Sequence, residues 1–197
     1  PGTFMYTGTG VNPTGLFNPA QAGAGTHAIK YVFTSSLNTV CKDSVTKDII
    51  VWPRPIADFT ITPIQCEKTP LTFSSTSLPL AGIIDEWSWN FGDGNPSQIR
   101  TSGLPFDYIF NQYQTFNVDL RVTTNNGCTS LAKTMTIDVN PNPIPNFTLP
   151  KVCLPEGRAL FVNNTTIPST GNSLSYNWNF GDPFNNTSSA VKDGLHF

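Results

Sequence analysis

Four cysteines, two histidines and a twice-used Trp-Asn-Phe-Gly-Asp string are the residues of this 197-residue chain that bear on chemistry. His27 and His196 fall in different segments of the chain, so no Ser/His/Asp or His-metal cluster forms within one folded unit. Cys41, Cys66, Cys128 and Cys153 include no Cys-x-x-Cys pair, and their spacing does not indicate zinc. No Gly-rich loop lies between a strand and a helix in the way that phosphate binding needs. The chain therefore reads as non-enzymatic. Trp89 and Trp178 stand before the turns Phe91-Gly92-Asp93 and Phe180-Gly181-Asp182. A tryptophan there is ordinarily a core residue between two sheets; the functional alternative is an aromatic platform for sugar. Trp87 and Tyr176 share the parity of those tryptophans and are expected to point inward. Asp93 and Asp182 suit tight turns, where a short carboxylate accepts backbone N–H bonds. The alternative is calcium, which takes about six to eight oxygen ligands. Asp85, Glu86 and Asp93 could supply some of these, but no spaced Asp-rich loop is present. No cofactor is expected, with calcium as the alternative.

The elements that would position these residues are strands. Phe116, Val118, Leu120 and Val122 alternate with Asn117, Asp119, Arg121 and Thr123, the pattern of a half-buried strand. Asn125-Asn126-Gly127 then reverses the chain, since Asn and Gly tolerate positive φ. Leu131, Met135, Ile137 and Val139 continue as a last strand. Thr69 to Ser75 forms another, with Leu71 and Phe73 on one face. Ile83, Asp85, Trp87, Trp89 and Phe91 share one face of the next, with Asp85 at its mouth. His27, Ile29, Tyr31 and Phe33 alternate, and Val45 to Val51 closes the first segment. No helical periodicity competes.

A repeat organises these strands. Pro55-Ile56-Ala57-Asp58-Phe59-Thr60 returns as Pro143-Ile144-Pro145-Asn146-Phe147-Thr148, and Cys41 and Cys66 return as Cys128 and Cys153, each roughly 88 residues on. Trp52-Pro53-Arg54-Pro55 and Asn140-Pro141-Asn142-Pro143 read as stiff linkers, because alternate prolines hold the backbone extended. The expected domains are 1–53, the closing part of one sandwich; 54–140, a whole one; and 141–197, the opening part of another. On this reading the chain is a portion of a longer array.

Composition agrees with an all-β reading. Charged residues are 12%, hydrophobic residues 38% and aromatic residues 12%, with 17 Pro and 15 Gly. That supplies cores and turns rather than disorder. The net charge is −2 and no basic run occurs, so nucleic acid and anionic membranes are not expected partners. No apolar stretch reaches the ~18 residues of a membrane span. The low charge and the repeated cysteines point to an extracellular or cell-surface location.

Trp87-Ser88-Trp89-Asn90-Phe91-Gly92-Asp93-Gly94, then Pro105 and Tyr108-Ile109-Phe110, then Thr115-Phe116-Asn117-Val118-Asp119-Leu120-Arg121-Val122, resemble the polycystic-kidney-disease (PKD) repeat. Tyr108 stands where that family usually has His, and Gln114 where it has Gly. The third segment resembles the first half of the same repeat, with Pro183 in place of the second turn Gly. Gly10-Val11-Asn12-Pro13-Thr14-Gly15-Leu16-Phe17-Asn18-Pro19 and Ala22-Gly23-Ala24-Gly25-Thr26-His27 resemble an immunoglobulin-like repeat of Bacteroidota surface proteins. Together they are similar to giant surface adhesins of that phylum, including gliding-motility adhesins exported by the type IX system. The resemblance implies tandem immunoglobulin-like β-sandwiches acting as a rod-like spacer in an adhesin. Its partners would be neighbouring domains of the same long chain, with surface polysaccharide or other surface proteins as further candidates. Alternatives are a polysaccharide-binding module and a spacer of a secreted hydrolase.

In an immunoglobulin topology Cys66 and Cys128 fall at opposite ends of one sandwich. Strands of about 8 residues would set them over ~20 Å apart, beyond disulfide reach. The first-strand cysteine of one domain could instead bond the hairpin cysteine of the next and staple the two. The plainer alternative is free or locally paired thiols. N-glycosylation sequons start at Asn146, Asn163, Asn164, Asn185 and Asn186, and Asp43-Ser44-Val45 resembles a short O-glycosylation motif of Bacteroidota.

Overall fold

The computed structural model describes residues 2–36, 41–63, 66–151, 159–168, 174–181 and 188–196. The chain is almost wholly β: β1 (Gly2–Thr7), a helical turn α1 (Pro19–Ala22), β2 (Gly25–Ser35), β3 (Lys42–Val51), β4 (Phe59–Ile61), β5 (Pro70–Ser75), β6 (Ile84–Asn90), β7 (Gln98–Arg100), β8 (Phe106–Ile109), β9 (Thr115–Thr124), β10 (Lys133–Asp138), β11 (Phe147–Thr148), β12 (Ala159–Asn163), β13 (Trp178–Asn179), β14 (Ser188–Ser189) and β15 (Gly194–His196). The sheets run β1-β2-β3, β4-β5-β8, β10-β9-β6-β7, β11-β12-β15 and β13-β14. Two compact units result: Pro1–Ile61 with Thr72–Phe106 and Asn117–Thr136, and Thr62–Leu71 with Asp107–Phe116 and Ile137–Phe197.

In the first unit, β1, β2 and β3 form an antiparallel sheet that sets Phe4 opposite Phe33 and Tyr6 opposite Tyr31. The helical turn before β2 departs from the expectation of no helix. Asn18 caps it by accepting the Ala20 and Gln21 N–H groups, and Pro19 opens it. Four residues are too few to give a periodic signal in the sequence. β1 was likewise not expected.

The core of this unit is aromatic. Trp89, 1% exposed, meets Phe59 at 5.0 Å, Phe73 at 5.6 Å and Phe106 at 5.3 Å, all edge-on. Phe73 belongs to the β4-β5-β8 sheet and Trp89 to the β10-β9-β6-β7 sheet, so these contacts close a sandwich. Val118, Leu120 and Val122 are fully buried, as their alternation requires. Two expectations are corrected. Ile83 is 64% exposed, because a bulge between Ile84 and Glu86 breaks the alternation ahead of Trp87. Leu131 is 71% exposed, because β10 begins only at Lys133.

In the second unit, Leu71, Phe110, Phe116, Ile137 and Val139 are buried, with Phe110 stacked on Phe116 at 4.3 Å. Farther along the chain, Phe147, Phe161, Trp178 and Phe180 repeat the aromatic geometry of Phe59, Phe73, Trp89 and Phe91. Trp178 and Phe180 lie 6.3 Å apart at 5°, and Trp89 and Phe91 lie 6.2 Å apart at 7°. The strand registers repeat as well, with Phe59 opposite Ser75 and Phe147 opposite Asn163. β6 pairs with β7 and β9, whereas among the described residues β13 pairs with β14 alone.

Candidate functional site

The Trp-Asn-Phe-Gly-Asp string builds one local device twice. The Asn90 side-chain oxygen accepts the Gly92 N–H at 3.0 Å, and Asn179 accepts Gly181 N–H at the same distance. Gly92 and Gly181 both sit at φ 69°. The string is thus an Asx-turn that needs glycine at its third residue after Trp, and the Asn two places before Gly was the signal available for it. Asp93 then accepts the Asn95 N–H at 3.1 Å through Oδ1 and the Asn95 side-chain amide at 2.7 Å through Oδ2. Asp182 lies outside the described residues.

The remaining candidate positions separate. Trp89 and Phe91 are core residues, while Trp178 and Phe180 are half-buried. Trp87 and Tyr176 are half-buried, and the Trp87 indole N–H donates to Ser75 Oγ at 3.0 Å. His27 sits on β2 with Nε2 2.9 Å from the Gly23 carbonyl oxygen. Among the described residues no three His, Cys, Asp or Glu side chains cluster so as to hold a metal. No helix among them is long and apolar enough to cross a membrane.

Cys41, Cys66 and Cys128 are each unbonded, and Cys153 lies outside the described residues. Cys66 and Cys128 each adjoin a linker. Cys128 follows the β9–β10 turn, with Sγ 3.9 Å from the Trp52 carbonyl oxygen. Cys66 forms a parallel bridge with Asn140. The next residue, Glu67, is 8% exposed, and its N–H donates to Asn140 O at 2.9 Å. Its Oε1 accepts the Asn142 N–H at 3.2 Å, and its carbonyl accepts the Asn142 side-chain amide at 2.8 Å. One buried carboxylate thus fastens the linker Asn140-Pro141-Asn142-Pro143. Sequence reasoning missed Glu67, which has no local motif and finds its partner 75 residues away.

At the other linker, Lys133 Nζ lies 3.0 Å from Asp58 Oδ1, and the Phe59 N–H donates to that same oxygen at 3.0 Å. The Lys133 hydrogen bond and then the Phe59 N–H hold the Asp58 carboxyl below its ordinary value.

Two aromatic surfaces are open. On β1 and β2, Phe4 stacks on Tyr31 at 6.2 Å and 27°, Tyr6 meets Tyr31 at 5.0 Å, and Phe4 is 58% exposed. In the second unit, Phe147, Tyr176 and Trp178 line a groove of about 410 Å³.

Residues 52–139 match the family described as PKD domain. The crystal structure of the PKD1 domain of Vibrio anguillarum Epp is similar at 20% identity and a TM-score of 0.35, over 44% of this chain and 96% of that one. A structure described as carbohydrate-binding modules from the beta-sandwich super family is similar at 22% identity and a TM-score of 0.42, over 73% of this chain. The match spans 52% of that structure's own chain. In this all-β, immunoglobulin-like chain the family match is thus to residues 52–139, which resemble a PKD domain.

Proposed function

We propose that this chain is a non-catalytic spacer segment of a large secreted or cell-surface adhesin, of the type IX-exported, gliding-motility kind. Neighbouring domains of the same polypeptide are its main partners. The observation that carries the reading is the linker clamp at Glu67. A chain built to hold a binding site away from a surface needs joints that resist bending, and a proline linker tied down by a buried carboxylate is such a joint. The PKD match at 52–139 supports the same reading. An antibody raised against residues 54–140 tests it. It is expected to label intact cells of the source organism and to lose its epitope after protease shaving. In-frame deletion of those residues is expected to leave ligand binding intact while shortening its reach. Labelling only of lysed cells would overturn the surface assignment, and loss of binding on deletion would overturn the spacer role.

A second reading, a module that grips polysaccharide, is favoured by the near-parallel Phe4–Tyr31 pair, in which Phe4 is exposed and Tyr31 half-buried. Such a pair can stack on a sugar ring. Co-sedimentation with insoluble polysaccharide that Phe4→Ala and Tyr31→Ala abolish would establish it over the spacer reading.

A further inference from the structure

We propose that the outward row Arg54, Ile56 and Asp58 is a self-complementary interface through which two copies of this chain pair side by side. The segment from Arg54 to Asp58 leads into β4 alongside Leu78, and its side chains alternate between two faces. Pro55 and Ala57 are buried, while Arg54 and Ile56 are exposed and Asp58 is half-exposed. Ile56 and Leu78 exchange both backbone hydrogen bonds at 2.8 Å, which sets their side chains on one face. Leu131 stands across a groove of about 320 Å³ from Ile56, over the buried Pro55 and Ala57. Ile56 is 51% exposed, Leu78 55%, Leu80 56% and Leu131 71%. Leu80 is also held at φ 56°, a left-handed conformation that leucine adopts only at a cost, and strain of this kind gathers at functional surfaces. A specific interface buries about 800 Å² on each partner and is a little over half apolar. These four side chains present on the order of 450 Å², the apolar share that such an interface needs.

The charges identify the occupant as a second copy. Arg54 has no acidic partner among the described residues. Asp58 gives Oδ1 to Lys133 and to the Phe59 N–H, and its Oδ2 has no partner among them. The row therefore reads base, apolar, acid over roughly 13 Å of strand. Two such rows laid antiparallel about a two-fold axis at Ile56 set Arg54 of each copy against Asp58 of the other, with the aliphatic side chains between them. A neutral glycan would leave both charges unmet. The next repeat keeps the isoleucine but not the charges. Ile144 is 57% exposed and bridged to Thr166, and Asn142 and Asn146 stand where Arg54 and Asp58 do. Two chains in matching register thus pair at the complete domain, and a slip by one repeat sets charges against amides.

Sedimentation velocity of the whole chain, from micromolar to millimolar concentration, is the test. The expected result is a concentration-dependent dimer that added salt weakens. Ile56→Asp should abolish it, and Arg54→Asp and Asp58→Arg should each weaken it about tenfold or more. Mixing the last two variants should restore pairing, because each then offers the charges that the other lacks. Asp58→Arg also breaks the pair with Lys133, so circular dichroism checks its fold, and a misfolded protein could not rescue the mixture. A chain that stays monomeric throughout would overturn the proposal. So would a dimer that Ile56→Asp leaves unchanged, or a mixture that pairs no more tightly than either variant alone. A monomer whose Ile56 and Leu131 resist hydroxyl-radical labelling would assign the cover to the same polypeptide and overturn it too. The spacer reading is tested by surface labelling and deletion, so either idea can fail without the other.

Discussion

Glu67 addresses Asn142 twice, through Oε1 to its backbone N–H at 3.2 Å and through its carbonyl to the side-chain amide at 2.8 Å. The two bonds use one residue from the loop before β5 to fix one residue between two prolines. Proline removes N–H donors from the linker, so between Pro141 and Pro143 the donors are those of Asn142. Glu67 is enclosed enough for the loss of either bond to matter.

Glu67→Ala is expected to cost about 1–3 kcal/mol, because it strips a buried acceptor from a backbone N–H. Glu67→Gln keeps an oxygen at Oε1 and should recover most of that loss. Urea denaturation measures both. Limited proteolysis should find residues 140–143 cut faster in the alanine variant only. Equal proteolysis of all three proteins would show that the clamp does not govern the joint.

Asp58 gives a pH dependence of known sign. Its folded carboxyl is held below the ordinary value by the Lys133 hydrogen bond first and the Phe59 N–H second. A depressed folded pKa contributes stability that is present above the unfolded value and lost as pH falls through the folded one. The urea midpoint should therefore be flat near neutrality on this account and decline below the usual Asp range. Asp58→Asn should remove that part of the decline. Because the pair is exposed, added salt should shrink the difference between the two proteins.

Much of the fold was legible because burial follows period two. Val118, Leu120 and Val122 alternate in sequence and are fully enclosed in the structure. The same rule misplaced Ile83, since a bulge adds a residue that no alternation can reveal. It missed β1 and the turn at Pro19–Ala22, which are short or lie outside the repeat. The Asx-turns at Asn90 and Asn179 could have been found from Asn-Phe-Gly alone. Glu67 could not, because its role is set by a pairing between distant segments. The outer face of β9 and β10 shows why composition was informative. Thr134 donates to Asp119 at 2.5 Å and Thr136 to Asn117 at 2.9 Å, so hydroxyl groups do there what ion pairs do in more charged proteins.

Gly92 and Gly94 separate two penalties. Both have positive φ, at 69° and 85°. A Cβ on Gly92 would meet the Asn117 carbonyl oxygen at 2.5 Å, whereas one on Gly94 would meet open space. Gly94→Ala should then cost only the left-handed backbone penalty, about 1–2 kcal/mol. Gly92→Ala should cost that and a backbone displacement as well. Thermal melts of the two variants check the order. A Gly94 variant less stable than the Gly92 variant would contradict the packing of the turn against β9.

Trp89 and Trp178 occupy the same place in the repeat under different cover. Trp89 is enclosed by Phe59, Phe73, Phe91 and Phe106, and its truncation to alanine should cost about 3–5 kcal/mol. Trp178 is half-buried, with its indole N–H donating to the Val191 carbonyl at 3.1 Å, and borders the groove beside Phe147. Trp178→Ala should cost less, about 1–2 kcal/mol, since less apolar surface leaves water there. Guanidinium denaturation followed by circular dichroism measures both without relying on the tryptophans as probes. Equal losses would mean that Trp178 is as enclosed in solution as Trp89. Cover from a second chain would make the melting point of the wild-type protein rise with its concentration, whereas cover from the same polypeptide would not. A smaller, concentration-independent loss for Trp178 would instead leave that face open, available for the next part of an array.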